Sequence, residues 1–270
     1  MNEASMNEPE SKTRRGIQSI EIAGRILRVL AEASRPMMLK ELSSATELSS
    51  AQLHGYLVSL KVTGLVDQDE GNGRYQLGHF ALTLGIARMR SFDPLRHANL
   101  VGSELAIEIN SLITVSVWNR TKPVIVQVHR GTADIHVQLQ PGSASQLLNS
   151  AAGQLFAALL PRATTDPLLE SELLKGYRST SARKSITTIA EWENVAARIR
   201  ERGYSVMVNS PFEGLNAASC PVFDNEGNLQ FTMTAIGLSS EFSVGEHDER
   251  LRMLISTCEM MSKEMGYSKP

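Results

Sequence analysis

Leu53, Leu57 and Leu60 recur four and three residues apart in a segment that opens on Ser49-Ser50 and closes on Gly64. At about 100° per residue they form one narrow apolar edge, so the segment reads as a short helix that packs on one side only. The serines suit its N-cap and the glycine its C-terminal stop. The flanking segments narrow the choice of fold. From Ser19 to Ala33 the residues Ile22, Ala23, Ile26, Leu27 and Leu30 follow helical spacing, with Glu21, Arg25, Arg28 and Glu32 on the other side; Pro36 ends the run. Leu39, Leu42 and Ala45 mark a shorter helix in between. After Gly64, Leu65-Val66-Asp67-Gln68 and Arg74-Tyr75-Gln76-Leu77 flank Glu70-Gly71-Asn72-Gly73, which has the composition of a hairpin turn. Three helices and a β-hairpin in this order predict a winged helix-turn-helix, whose second helix braces the third as it enters the major groove of DNA.

The far side of the third helix carries Ala51, Gln52, Gly55 and Ser59, with Tyr56 and Val58 at its margins. A glutamine amide can pair bidentately with adenine, so Gln52 is the candidate base reader. Ser49, Ser50 and Tyr56 suit hydrogen bonds to phosphate. Arg74 on the wing and Arg14-Arg15 in the polar start of the chain add positive charge. Singly, each of these also suits a solvated surface; their shared placement points to DNA. Charge alone does not, because residues 11–78 hold nine basic and seven acidic side chains and the chain carries a net charge of -2. That balance argues against a protein that coats nucleic acid indiscriminately. Gly55 costs the helix about 1 kcal/mol relative to alanine. Close approach of a phosphate and tolerated drift both account for it.

A chain of 270 residues exceeds one ordinary hydrophobic core, so at least one further domain follows. Residues 1–15 are polar, read as a disordered tail, and lack the apolar stretch of a secretory signal, so the cytoplasm is expected. The DNA-binding domain is assigned to residues 16–78 and a linker helix to 79–94, where Ser91-Phe92-Asp93-Pro94 breaks the pattern. Residues 95–266 alternate between the two periodicities. Helical spacing covers Leu95 to Ile109, Ala151 to Leu160, Pro167 to Lys175, Thr188 to Arg202 and Gly245 to Met265. Strand patterns cover Thr114 to Trp118, Val124 to Val128, Ile135 to Leu139, Ser205 to Val208, Ala217 to Phe223 and Leu229 to Ile236, with a turn at Asn225-Glu226-Gly227-Asn228. The class is α+β, with a mixed sheet-and-helix second domain. No apolar run reaches the roughly 20 residues of a membrane helix, so no membrane partner is expected.

Catalytic patterns are sparse. The histidines, at positions 54, 79, 97, 129, 136 and 247, have no metal-ligand spacing, and no Walker loop or Gly-x-Ser-x-Gly elbow occurs. Two cysteines, Cys220 and Cys258, are too few for a four-ligand zinc site. His129 or His136 could activate Cys220 in a hydrolase, but Cys220 stands within a strand pattern before Pro221, where a buried thiol fits better. Trp118 likewise suits a core. No enzyme, cofactor or metal is implied. A DNA-binding oligomer without a small-molecule effector stays open.

The sequence resembles the IclR family of bacterial regulators from Gly16 to about Gly266. In the first domain the resemblance is carried by Gly16-Ile17-Gln18-Ser19-Ile20, Leu39-Lys40-Glu41-Leu42, Leu57-Val58-Ser59-Leu60 and Arg74-Tyr75-Gln76-Leu77-Gly78. In the second it is carried by Ser150-Ala151-Ala152-Gly153-Gln154, Arg202-Gly203-Tyr204 and Ala217-Ala218-Ser219-Cys220-Pro221. The family commonly has glycine where Glu47 stands and arginine where Gly55 stands, and often glutamate at Ser210 and lysine at Gln154. The resemblance implies a GAF-like effector-binding domain, a dimer or dimer of dimers, and operator DNA as partner. Carried over by position, the effector pocket would comprise Asn149, Ser150, Ala151 and Ala152 with Met207, Ala217, Thr234 and Ile236. Thr234 would be the polar member among the last four, and so apolar a lining suits an aromatic acid from a catabolic pathway, its carboxylate at Asn149, Ser150 and the helix that follows. Met207, Ala217 and Ile236 suit a plain core equally well.

Overall fold

The computed structural model describes residues 16–33, 35–132, 135, 137–175, 186–210 and 212–268. Arg14, Arg15, His136 and the expected disordered tail lie outside the described residues. The chain divides into two compact units, one ending at Phe92 and one beginning at Asp93.

The first unit runs α1 (Gln18–Ala33), α2 (Leu39–Thr46), α3 (Ser50–Val62), β1 (Val66–Gln68), β2 (Tyr75–Leu77) and α4 (His79–Ser91). Ile26 and Leu30 of α1, Leu42 of α2 and the three leucines of α3 are buried together with Val66 and Tyr75. The apolar edge of α3 therefore anchors the unit, as its spacing predicts. α2 ends at Glu47, which stands in the left-handed region at φ 57°. α3 ends before Gly64, whose φ of 72° lets the chain reverse into β1. β1 and β2 pair antiparallel. Asp69 Oδ1 closes their turn by accepting from the amides of Gly71 and Asn72.

The second unit runs α5 (Pro94–Glu108), β3 (Leu112–Asn119), β4 (Lys122–His129), α6 (Ala151–Leu159), α7 (Arg162–Lys175), α8 (Ile189–Arg202), β5 (Ser205–Val208), β6 (Leu215–Phe223), β7 (Leu229–Leu238) and α9 (Glu249–Glu264). Its strands form an antiparallel sheet in the order β4-β3-β7-β6-β5. Strand alternation divides the sheet into two unlike faces. Ile113, Val115, Phe231, Met233, Ala235, Ala218, Cys220 and Val222 share one face and pack with Leu105 of α5 and Leu251, Leu254 and Cys258 of α9. The register places Thr114, Ser116, Thr232, Thr234 and Ser219 on the other. Over that face lies α6, buried along Ala151 to Ala158 and backed by Trp192, Ala196 and Ile199 of α8.

Three expectations are corrected. Among the described residues of the segment from Ile135 to Leu139 there is no strand: Val137 donates to the Ile135 carbonyl at 3.1 Å and Leu139 to the Val137 carbonyl at 3.0 Å, so these residues bond locally. Its β-branched side chains are buried beside Leu112, which accounts for the misleading pattern. The open edge of β4 instead bonds residues 142–145, with the Ile125 amide donating to the Ser143 carbonyl at 2.8 Å. α7 begins at Arg162 and takes Pro167 into its interior rather than starting there. α9 begins at Glu249 rather than near Gly245, because Asp248 caps it by accepting from the amides of Arg250 and Leu251.

Candidate functional site

The outer face of α3 is open to solvent at Ala51, Gln52, Gly55, Val58 and Ser59, while Tyr56 is half-buried against the core. Its polar groups are already engaged with one another. Ser49 Oγ accepts from the Gln52 amide at 3.3 Å, and Gln52 Oε1 accepts from the Ser49 amide at 3.3 Å and the Ser49 hydroxyl at 3.0 Å. This reciprocal capping box holds Gln52 at the start of the helix and commits its amide oxygen. A bidentate contact with adenine requires that oxygen to leave Ser49, whereas the Nε2 donors serve a base acceptor without any such release. Ser50 is exposed in the first turn, and Ser59 Oγ donates back to the Gly55 carbonyl at 3.2 Å. A Cβ added at Gly55 would meet nothing within 4 Å, so no packing demand explains the glycine.

Arg74 is held against the loop before α2 rather than projecting freely. Its guanidinium donates to the Pro36 carbonyl at 3.2 Å and lies 3.8 Å from Glu41, which also pairs with Arg35 at 3.0 Å. The Met38 amide and the Arg35 guanidinium hold the Glu41 carboxyl below its ordinary range. This tie between wing and α2 is thus complete at neutral pH and weakens as pH falls through that lowered value. His54 is also exposed on α3, next to Leu53, and the 100° step places it at the edge of the outer face.

In the second unit a cavity of about 290 Å³ opens between the hydroxyl-bearing face of the sheet and the start of α6. Asn149, Ser150, Ala151, Ala152, Ala217, Thr234 and Ile236 line it, as the resemblance implied. Met207 does not; it packs behind the wall with Ala151 and Ala217. The lining is mostly apolar surface, with more polar groups on it than the carried-over positions supplied. Thr114, Ser116, Ser145, Gln146, Ser210 and Asn216 join Thr234, Asn149 and Ser150 on the wall, alongside Ile125, Leu139, Phe212, Leu215 and Ile236. The added polar members come from one face of β3, from Asn216 near the start of β6 and from loop residues that positional reasoning did not include.

Ser150 caps α6: its Oγ accepts from the Gly153 amide at 2.9 Å and donates to the Gln146 carbonyl at 2.8 Å. A Cβ at Gly153 would collide with that same carbonyl, so glycine is what lets the loop close on the helix. Gln154 fastens the loop from inside, donating to the Leu148 carbonyl at 2.8 Å. The amides of Ala151 and Ala152, in the first turn of α6, have no acceptor within the helix and adjoin the cavity. With the partial positive charge of the helix end, they make this wall suited to a carboxylate.

The family model for the helix-turn-helix domain of IclR matches residues 19–70, and the model for the C-terminal region of the bacterial transcriptional regulator IclR matches residues 88–263. The chain belongs to the IclR family. Among its relatives, the glycerol operon regulatory protein of Streptomyces griseus is 29% identical over 225 residues, covering 83% of this chain and 85% of that protein. The HTH-type transcriptional regulator KdgR of Escherichia coli is 25% identical over 242 residues, covering 90% of each. The crystal structure of Pseudomonas aeruginosa HmgR superposes with a TM-score of 0.82 at 30% identity, covering 94% of this chain and 100% of that one.

As an IclR-family member the chain is a DNA-binding transcriptional regulator and not an enzyme. Cys220 fits that conclusion, since it lies in the apolar core on the far face of the sheet and burial pushes its thiol up, away from the reactive thiolate. Glu47 occupies the left-handed position at the end of α2 where the family commonly has glycine. Among the described residues no helix is long and apolar enough to cross a membrane.

Proposed function

We propose that this regulator answers to a small organic acid, with an aromatic acid as the leading class, and that the acid alters its hold on operator DNA. The observation that carries this reading is the first turn of α6, whose Ala151 and Ala152 amides adjoin a cavity also lined by Asn149 and Ser150. Ile125, Leu139, Phe212 and Ile236 supply an apolar wall for the body of the ligand. A volume near 290 Å³ sits at the small end of ligand pockets and suits a single ring or a short chain. Operator DNA would lie against α3, read by Gln52 and positioned by Ser49, Ser50, Tyr56 and Ser59, with Arg14, Arg15 and Arg74 adding charge. The DNA-binding and sensing roles divide between residues 16–78 and 95–266, linked by the segment 79–94, most of which is α4. A second copy of the chain matches symmetric half-sites, and the exposed Leu82, Leu84 and Ile86 of α4 support burial of that helix in a dimer or dimer of dimers.

Melting of the full chain with benzoate and short aliphatic acids, each paired with its uncharged amide, tests the reading. Acids that bind raise the midpoint, by the equivalent of about 2.7 kcal/mol at a hundredfold excess over Kd, and their amides do not. Equal stabilisation by acids and amides, or none by either, would contradict it.

A further inference from the structure

Ser116 and Thr232 face each other across β3 and β7, both completely buried. Neither Ser116 Oγ nor Thr232 Oγ1 has a hydrogen-bond partner among the described residues. Ser116 lines the cavity. A buried hydroxyl left unmatched is unfavourable, and nearly all such groups in folded proteins find partners. Elsewhere on this face Thr234 Oγ1 donates to Ser219 Oγ at 2.9 Å, and Ser205 Oγ donates to the Ala151 carbonyl. Of the two unpartnered hydroxyl residues, Ser116 borders the cavity and Thr232 lies beneath it in the sheet.

The position of Ser116 gives the exception a meaning. Ser205 on β5 holds the first turn of α6, and β3 lies three strand spacings from β5, roughly 14 Å. Ser116 therefore borders the cavity on the β3–β4 side and the first turn of α6 on the β5–β6 side. Ile125, paired with Ser116 across β3 and β4, lines the wall beside it, and Thr234, in register with Ser219 and Ser205, lies between the two sides.

We propose that Ser116 is a second polar contact for the effector. This rests on the reading of the cavity as an acid-binding site and narrows its ligand: an acid whose carboxylate meets the α6 amides and whose hydroxyl or oxo group, beyond an apolar body, meets Ser116 Oγ.

Calorimetric titration of the full chain with matched pairs tests this, using benzoate against 4-hydroxybenzoate and hexanoate against 6-hydroxyhexanoate. The hydroxylated member is expected to bind about 3- to 10-fold more tightly, the range one net hydrogen bond supplies. Ser116→Ala is expected to erase that preference. Parent acids that bind with no hydroxyl preference, or a preference that survives Ser116→Ala, would overturn the second contact and leave the acid site standing. Failure of every acid to bind would remove the acid site and this proposal with it. The melting temperature of unliganded Ser116→Ala gives an independent check. It should equal or exceed that of the parent chain; a drop would show that the hydroxyl serves the fold and would overturn the proposal.

Discussion

The outer face of α3 and the cavity of the second unit are both built from small polar side chains, yet they handle their hydrogen bonds in opposite ways. On α3 the groups satisfy one another, Ser49 with Gln52 and Ser59 with the Gly55 carbonyl, and on the wing Arg74 is held by Pro36 and Glu41. These bonds lie at the surface, where water competes and each is worth little net, so an incoming duplex can replace them at small cost. In the cavity the first-turn amides of α6 have no acceptor within the helix and the Ser116 hydroxyl no partner among the described residues. There a ligand can supply partners that the protein itself does not. The outer face stays adaptable because its contacts are exchangeable; the cavity discriminates because it leaves groups for a ligand of matching chemistry to satisfy.

Substitutions can break this contrast or sharpen it. Leu57→Ala, under the outer face of α3, should cost about 2–5 kcal/mol of the first unit's stability in denaturant unfolding, as large-to-small changes in close-packed cores do. Acid binding by the second unit should survive it, and joint loss of both would contradict the separation of the two sites. Thr234→Val leaves Ser219 Oγ without its buried donor and should cost about 1–3 kcal/mol, read as a lowered melting temperature. Ser49→Ala removes the capping box for about 1 kcal/mol. A Ser49→Ala cost as large as that of Thr234→Val would erase the distinction between surface and interior. Gly55→Ala should stabilise α3 by about 1 kcal/mol, because space for the methyl is open. Weakened DNA binding in that same variant would show that the glycine serves close approach to the duplex.

The two sites also differed in how far they could be read in advance. α3 is one continuous stretch, so its leucine spacing gave both the buried edge and the face left open, and the hairpin after Gly64 followed from local turn chemistry. Even there the capping box was overlooked, although serine followed three residues later by glutamine is its signature. The cavity wall comes from β3, β4, the loop before α6, β6 and β7, far apart in the chain. Residues carried over by position were placed on it except Met207, but those contributed by β3 and the loops were not. The strand pattern held a usable sign: in Leu112–Asn119 the polar Thr114 and Ser116 alternate with Ile113, Val115 and Val117, which marks two unlike faces. The segment from Ile135 to Leu139 misled for the converse reason. Its residues are buried like those of a strand while its backbone bonds locally.

The central claim is that occupation of the cavity changes the grip of α3 on DNA. Fluorescence anisotropy of a labelled duplex from the intergenic region upstream of the gene, titrated with the full chain with and without an acid that binds it, tests this directly. The account predicts a change in the DNA Kd of at least about fivefold, the lower end of ordinary coupling between sites. An unchanged Kd with the acid demonstrably bound would contradict it.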